Sequence, residues 1–265
     1  MKKVLILIPP SREFERGLLR GVSKYSRNHG PWATYMRMPD YSSAQKNILG
    51  LIKKIHPDGF LIRVPFSGDL EKILASHAPV IVTDIQKPVN DLHSIEPDCE
   101  RPAEITTEYF WSKGFTQFGF CGFLKSYWCL KRGHYLSNIL IPKNHFFSDH
   151  YCNVYEDTLL ENEQAKLIEW LENLPKPIAI LATNCDMGRH ILEACKIASI
   201  SVPETISVLS IDNDKLICEL ATPPLSSIAC NFERAGYKAA ELLDQLMAGK
   251  NIPIKKIIPS PTHSP

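Results

Sequence analysis

The chain has almost no net charge. Thirty Lys and Arg against 29 Asp and Glu leave a formal +1 over 265 residues, so no bulk field recruits nucleic acid or an anionic surface. It also lacks a membrane-length apolar run, since nothing approaches the ~20 residues of a spanning helix. The start, MKKVLILIPP, has a charged head, but its apolar stretch covers only residues 4–8. That is too short for a secretory leader, and no small-residue cleavage site follows. The eight cysteines contain no CxxC pair and the nine histidines no HxxH or HExxH, so neither a metal nor a metalloprotease site is expected. Cys99, Cys121, Cys129, Cys152, Cys185, Cys195, Cys218 and Cys230 read as reduced thiols of a cytosolic protein, several of them inside apolar runs. No strand is followed by GxGxxG or GxxxxGK[ST], and no GxSxG elbow is present. Nucleotide and hydrolase readings of an α/β chain thus lose their best support. The expectation is a soluble, cytoplasmic protein without metal or cofactor.

What is present is alternation, in a chain long enough for two lobes. Residues 4–8 form the apolar run of a strand covered on both faces. Pro9-Pro10-Ser11 stops it, and Ser11 can cap the helix in which Phe14, Leu18, Leu19, Val22 and Tyr25 recur at helical spacing. Strands follow at 32–38, 60–62 and 80–82, with helices at 44–55 and 70–75. After Asp98 a helix spans 103–111 and ends at Lys113-Gly114. A second series then runs through strands at 115–123, 146–153, 178–182 and 206–211, with helices at 128–136, 163–174 and 187–198. Residues 224–228, a helix at 233–247 and residues 255–258 complete the chain. Strand–helix alternation with short connections predicts doubly wound parallel sheets.

The stretch 206–230 organises the rest. A buried strand ends in Asp212-Asn213-Asp214, and an extended run, Leu225-Ser226-Ser227-Ile228, follows Pro223-Pro224. A carboxylate and an amide at the C-terminal end of a parallel strand sit where open α/β sheets hold ligands. Taken alone, the same residues make an ordinary Asx-rich turn.

The segment SIDNDKLICELATPPLSSIACNFERAGYKAAELLDQLMAGKNIP resembles the C-terminal part of sugar-sensing domains in the lactose-repressor and ribose-binding-protein superfamily. It is most similar to the xylose-operon regulator branch. Ser210 replaces the usual glycine, while Asp212, Asn213, Pro224, Leu225, Ser226, Ser227, Gly236, Ala239 and Ala240 keep the pattern. The resemblance implies a periplasmic-binding-protein-like type I fold: two similar doubly wound parallel-sheet lobes joined by a three-segment hinge. The N-terminal lobe is expected to be 1–113 plus 224–250, and the C-terminal lobe 114–223 plus 251–265. Such a hinge suits closure on a ligand.

The resemblance also implies ligand contacts at strand ends. In PSREFER, Ser11, Phe14 and Glu15 match the family segment that touches ligand. Phe14 can stack on a sugar ring or serve as the first core residue of its helix, and Glu15 can contact ligand or sit at a solvated helix start. Asp98 can face ligand, cap the following helix, or do both. Arg132 matches the ligand arginine if RGHYL aligns with Arg-x-x-Gly-Phe, although Tyr135 and Leu136 replace the last two and Lys131 is the alternative. A planar guanidinium can donate to two adjacent hydroxyls. Trp128 can stack on the sugar or cover the helix start. Asn184 and Asp212 match the family's polar residues at two strand tips. Asp98 and Asp212 could do acid–base work, but no activating base or metal motif accompanies them.

These features imply the effector-binding domain of a sugar-responsive regulator, with D-xylose favoured. A transport solute-binding protein and a sugar- or nucleoside-processing enzyme are the alternatives. Regulators of this kind reach operator DNA through a helix-turn-helix module, for which no segment of this chain is expected. A weak homodimer is expected through helices 44–55 and 70–75, which carry Ile48, Leu51, Ile52, Leu70, Ile73 and Leu74.

Overall fold

A computed structural model of the chain describes residues 1–36, 48–64, 67–84, 91–153 and 161–262. The chain divides into two compact units, Met1–Pro97 with Asn231–Pro259, and Asp98–Cys230 with Ser260–Pro265. The first unit opens with β1 (Lys3–Leu7), α1 (Glu13–Asn28), β2 (Ala33–Met36), α2 (Ile48–Ile55), β3 (Gly59–Val64), α3 (Ser67–Leu74), β4 (Val80–Asp84) and β5 (His93–Ile95). The second unit contains α4 (Arg101–Ser112), β6 (Gln117–Phe123), α5 (Tyr127–Leu140), β7 (Phe146–Cys152), α6 (Glu161–Asn173), β8 (Ile178–Ala182), α7 (Cys185–Ile197), β9 (Ile206–Ile211), α8 (Lys215–Leu220) and β10 (Ser226–Ile228). The chain then returns to the first unit through α9 (Phe232–Met247) and β11 (Lys256–Ile257).

Both sheets are parallel throughout their described pairs, in the orders β11-β5-β4-β3-β1-β2 and β10-β9-β8-β6-β7. The apolar runs follow from burial on two faces. In β1, Val4 and Ile6 join the layer formed with α1 and α9, whereas Leu5 and Leu7 join the layer beneath α2 and α3. In β8, Ile178, Ile180 and Ala182 face one core and Ala179 and Leu181 the other. A strand with apolar neighbours above and below has no polar position to alternate with.

Each sheet reverses its winding once. In the first, β2 lies on one side of β1 and β3 on the other; in the second, β7 and β8 flank β6. Each reversal opens a crevice at the carboxyl ends of the strands, the place where such sheets bind ligands.

The structure corrects several expectations. Ser11 does not cap α1: Arg12 holds the cap position, and the Glu15 carboxylate accepts from the Arg12 amide at 3.2 Å. Residues 215–220, read as connection, form α8. The unit boundaries fall near 97, 230 and 259 rather than near 114, 223 and 250. The reason is pairing and packing: α4 contributes Ala103, Ile105 and Phe110 to a core shared with β6, β10 pairs with β9, and β11 pairs with β5. The candidate pairing surface turns inward, with Ile48 and Ile73 buried and Leu51, Ile52 and Leu70 packed on the core; only Leu74 of the six is exposed. Residues 37–38 of the expected second strand, and 44–47 of the second helix, lie outside the described residues.

The first unit is closed by α1 against α9, whose backbones meet at glycines. A Cβ on Gly236 would stand 2.0 Å from the Leu18 carbonyl oxygen, and one on Gly21 2.0 Å from that of Glu233. Gly236→Ala is therefore expected to lower unfolding free energy by about 2 kcal/mol through forced helix separation. Urea denaturation measures this, and an unchanged midpoint would contradict the close crossing.

Candidate functional site

The densest polar arrangement among the predicted residues lies at the reversal of the second sheet. Arg132 projects from α5, the helix after β6, and is only 3 % exposed. Its Nη1 donates to the Thr183 carbonyl at 2.5 Å, just beyond the tip of β8. Its Nη2 stands 3.5 Å from Asp212 Oδ1, just beyond the tip of β9. The guanidinium also covers the Trp128 ring, 4.9 Å from the centroid. Burial opposes the Arg132 charge and the Asp212 carboxylate favours it, leaving the guanidinium above its ordinary range. Among the described residues the buried Arg132 Nε and Thr183 Oγ1 have no hydrogen-bond partner.

Asp212 is held in a conformation side chains rarely adopt. Its φ is +92° and that of Asn213 +49°, and such residues cost roughly 1–3 kcal/mol each unless the surroundings over-determine them. Here three successive amides are tied: Asp212 N–H to the Ile228 carbonyl at 3.0 Å, Asn213 N–H to Ser227 Oγ at 2.9 Å, and Asp214 N–H to Cys185 Sγ at 3.3 Å. All three amides of the turn are thereby paired.

The remaining predicted residues are accounted for individually. Asn184 caps α7, its side-chain oxygen accepting from the Met187 amide at 3.0 Å and its amide reaching Asp186 at 3.4 Å. Asp98 caps α4 by accepting from the Glu100 and Arg101 amides at 3.1 and 3.0 Å. Phe14 packs edge-on against Phe232, ring centroids 5.1 Å apart, as a core residue of the α1–α9 layer. Ser11 is exposed, and its carbonyl accepts from Arg16. Lys131 lies over Tyr135, while Arg132 is the buried member of the pair.

Glu15 is buried in the first unit, and Arg63 at the end of β3 donates to it at 2.8 Å. The pair joins the helix after β1 to the tip of β3, across the reversal of that sheet. Sequence reasoning missed Arg63. Its signal was a single cation near the end of the apolar run FLIRV. Thr183 was missed as well, since its carbonyl does the work and the sequence carries no sign of that.

Among the described residues no group of three or more His, Cys, Asp and Glu could hold a metal ion, and no helix is long and apolar enough to cross a membrane. An open groove of about 420 Å³ lies on α9 and β11, lined by Lys238, Lys255 and Lys256 among others. It includes none of the residues above.

A sequence profile of the periplasmic binding protein-like domain matches residues 107–264. The xylose operon regulatory protein of Haemophilus influenzae is 35 % identical over 168 residues, which are 61 % of this chain and 43 % of that protein. Its namesake in Escherichia coli K12 is 26 % identical over 273 aligned positions, 98 % of this chain and 67 % of that protein. A solved structure of a xylose-binding transcription activator superposes with a TM-score of 0.82 at 22 % identity, covering 98 % of this chain and 67 % of that one. The fold is therefore the expected one, two parallel-sheet α/β lobes.

Burial pushes the Glu15 carboxyl above the ordinary carboxylate range, and Arg63 offsets this only in part. The folded state therefore binds this proton more readily than the unfolded chain. Its stabilising contribution is full below the unfolded value and is lost as pH rises through the raised folded value. Unfolding free energy measured in urea from pH 4 upward should decline more steeply for the wild type than for Glu15→Gln. Parallel profiles would contradict this assignment.

Proposed function

Because the chain belongs to the periplasmic binding protein-like domain family, we propose that it is the effector-binding part of a sugar-responsive transcription regulator of the xylose-operon type. The observation that carries this reading is the buried Arg132 guanidinium facing Asp212 at a sheet reversal. A polyol answers that arrangement. One hydroxyl can accept from the guanidinium while a neighbouring hydroxyl donates to the carboxylate, so a vicinal diol satisfies both at once. The 3.5 Å separation of Arg132 and Asp212 is at the limit of a direct hydrogen bond, a loose contact that a diol can bridge. Trp128 supports the guanidinium from one ring face, so its role is to hold Arg132 and not to offer that face to the sugar.

D-xylose is the favoured effector, because xylose stands in the names of the two curated regulators and of the solved activator. In this reading the site binds and does not turn over. Asp98 caps α4 through one carboxylate oxygen, and the acid–base pair considered from sequence, Asp98 and Asp212, has no activating base or metal group beside it among the described residues. The protein works in the cytoplasm, and operator DNA is contacted by a helix-turn-helix module. Self-association, where it occurs, is weak.

Isothermal titration with D-xylose tests the reading, with D-ribose, D-glucose and sugar phosphates as the comparison panel. Asp212→Ala should weaken binding by roughly 2–4 kcal/mol, since buried donors lose their acceptor. Because Asp212 also neutralises Arg132, circular dichroism must first show the variant folded. Unchanged affinity in a folded variant would remove Asp212 from the site, and chemical conversion of any of these sugars would overturn the sensor reading.

A further inference from the structure

All eight cysteines fall in the second unit, and one stands at the centre of the Asp212 turn. Cys185 is the first residue of α7, directly after the Asn184 cap. Its sulfur accepts from the Asp214 amide at 3.3 Å and lies 3.5 Å from each of Ser210 Oγ, Ser227 Oγ and Cys218 Sγ. Ser227 Oγ in turn accepts from the Asn213 amide. Two of the three amides that hold the strained turn thus depend on this sulfur or on its immediate neighbour. Cys218 belongs to α8, whose Leu216 and Leu220 are 62 % and 66 % exposed. Cys218 itself is 7 % exposed and Cys185 3 %, so the pair lies directly under this short surface segment.

We propose that Cys185 and Cys218 form an oxidisable dithiol, which a peroxide converts to a disulfide, and that the disulfide loosens the Asp212 turn. Cys185 is the nucleophile. A thiolate is favoured at a helix N-terminus with amide and hydroxyl donors around it. The Cys218 hydrogen bond moves the Cys185 thiol below its ordinary range against the opposing effect of burial, and moves Cys218 the other way. The Ile211 carbonyl, 3.3 Å from the sulfur, accepts from the thiol form and opposes the charge.

In the first step the Cys185 sulfur attacks one oxygen of hydrogen peroxide. The S–O bond forms, the O–O bond breaks, and the departing hydroxide takes up the thiol proton as water. Cys218 then attacks the sulfenic sulfur, and the sulfenic hydroxyl leaves with the Cys218 proton as a second water. Two thiols are oxidised, one peroxide is reduced, and the product is one disulfide with two waters. Bonding at about 2.05 Å draws the sulfurs roughly 1.5 Å closer than their 3.5 Å separation. The Asp214 amide then loses its best acceptor, since a disulfide sulfur accepts more poorly than a thiolate. That this turn also holds an effector rests on the function proposed above, whereas the cross-link does not.

The experiment exposes the reduced protein to hydrogen peroxide under native conditions, alkylates remaining thiols and maps peptides by mass spectrometry. Hydrogen exchange of residues 212–215 and D-xylose affinity are measured before and after. The expected product is a Cys185–Cys218 linked peptide, reversed by dithiothreitol and absent from Cys218→Ser, a variant that leaves the Cys185 contacts to the turn in place. Exchange in the turn should rise about tenfold as its local opening becomes easier, and D-xylose affinity should fall in the oxidised wild type and return on reduction with dithiothreitol. Absence of the linked peptide, a dominant Cys121–Cys152 link, or undiminished protection of the turn once the link has formed would each overturn the proposal. A reduced protein that binds no D-xylose would contradict the proposed function instead, because the peptide map and the exchange data do not involve the sugar.

Discussion

A guanidinium removed from water must be neutralised and hydrogen-bonded, and much of the second unit is arranged around that requirement. Removing Arg132 from solvent costs several kcal/mol unless fixed partners replace the water. The Thr183 carbonyl, the Asp212 carboxylate and the Trp128 ring are those partners. They come from the tips of adjacent parallel strands and from one turn of the same helix, so the strand order of the sheet brings them together. The strain at Asp212 and Asn213 fits the same requirement. A relaxed strand end would satisfy the backbone more easily, and the observed turn is held by ties to β10 and to the start of α7.

The first unit repeats the device with different electrostatics. Glu15 and Arg63 meet at 2.8 Å across the reversal of their sheet, closer than Arg132 and Asp212. Yet burial still moves the Glu15 carboxyl upward. Asp212 keeps 19 % of its side chain exposed, which lowers the cost of its charge and leaves it accessible. One pair is buried at hydrogen-bond distance, and the other is longer and partly exposed.

Much of this was legible in the sequence where local pattern suffices. The run at residues 4–8 reads as a doubly covered strand because both faces are apolar, and the structure places its residues in two separate cores. The place of Asp212 just after a buried strand was legible too. The buried ion pairs were not, because Arg132 and Asp212 are 80 positions apart and no periodicity links them. Asn184 and Asp98 show a different limit. Each caps a helix through one side-chain oxygen, which only the amide geometry shows. The boundaries near 97, 230 and 259 were missed because α4, β10 and β11 are assigned by what they pack against, which composition does not reveal. The short α8 was hidden in a segment whose turn-like start and double proline suggested connection.

The central claim is that the Arg132 guanidinium and the Asp212 carboxylate receive adjacent sugar hydroxyls. A crystal structure of the protein grown with saturating D-xylose tests this most directly. The account predicts one pentose with a hydroxyl within about 3.2 Å of the Arg132 guanidinium and its neighbour equally close to an Asp212 carboxylate oxygen, with the strained turn unchanged. A sugar bound elsewhere, with Arg132 and Asp212 contacting only each other and water, would contradict it.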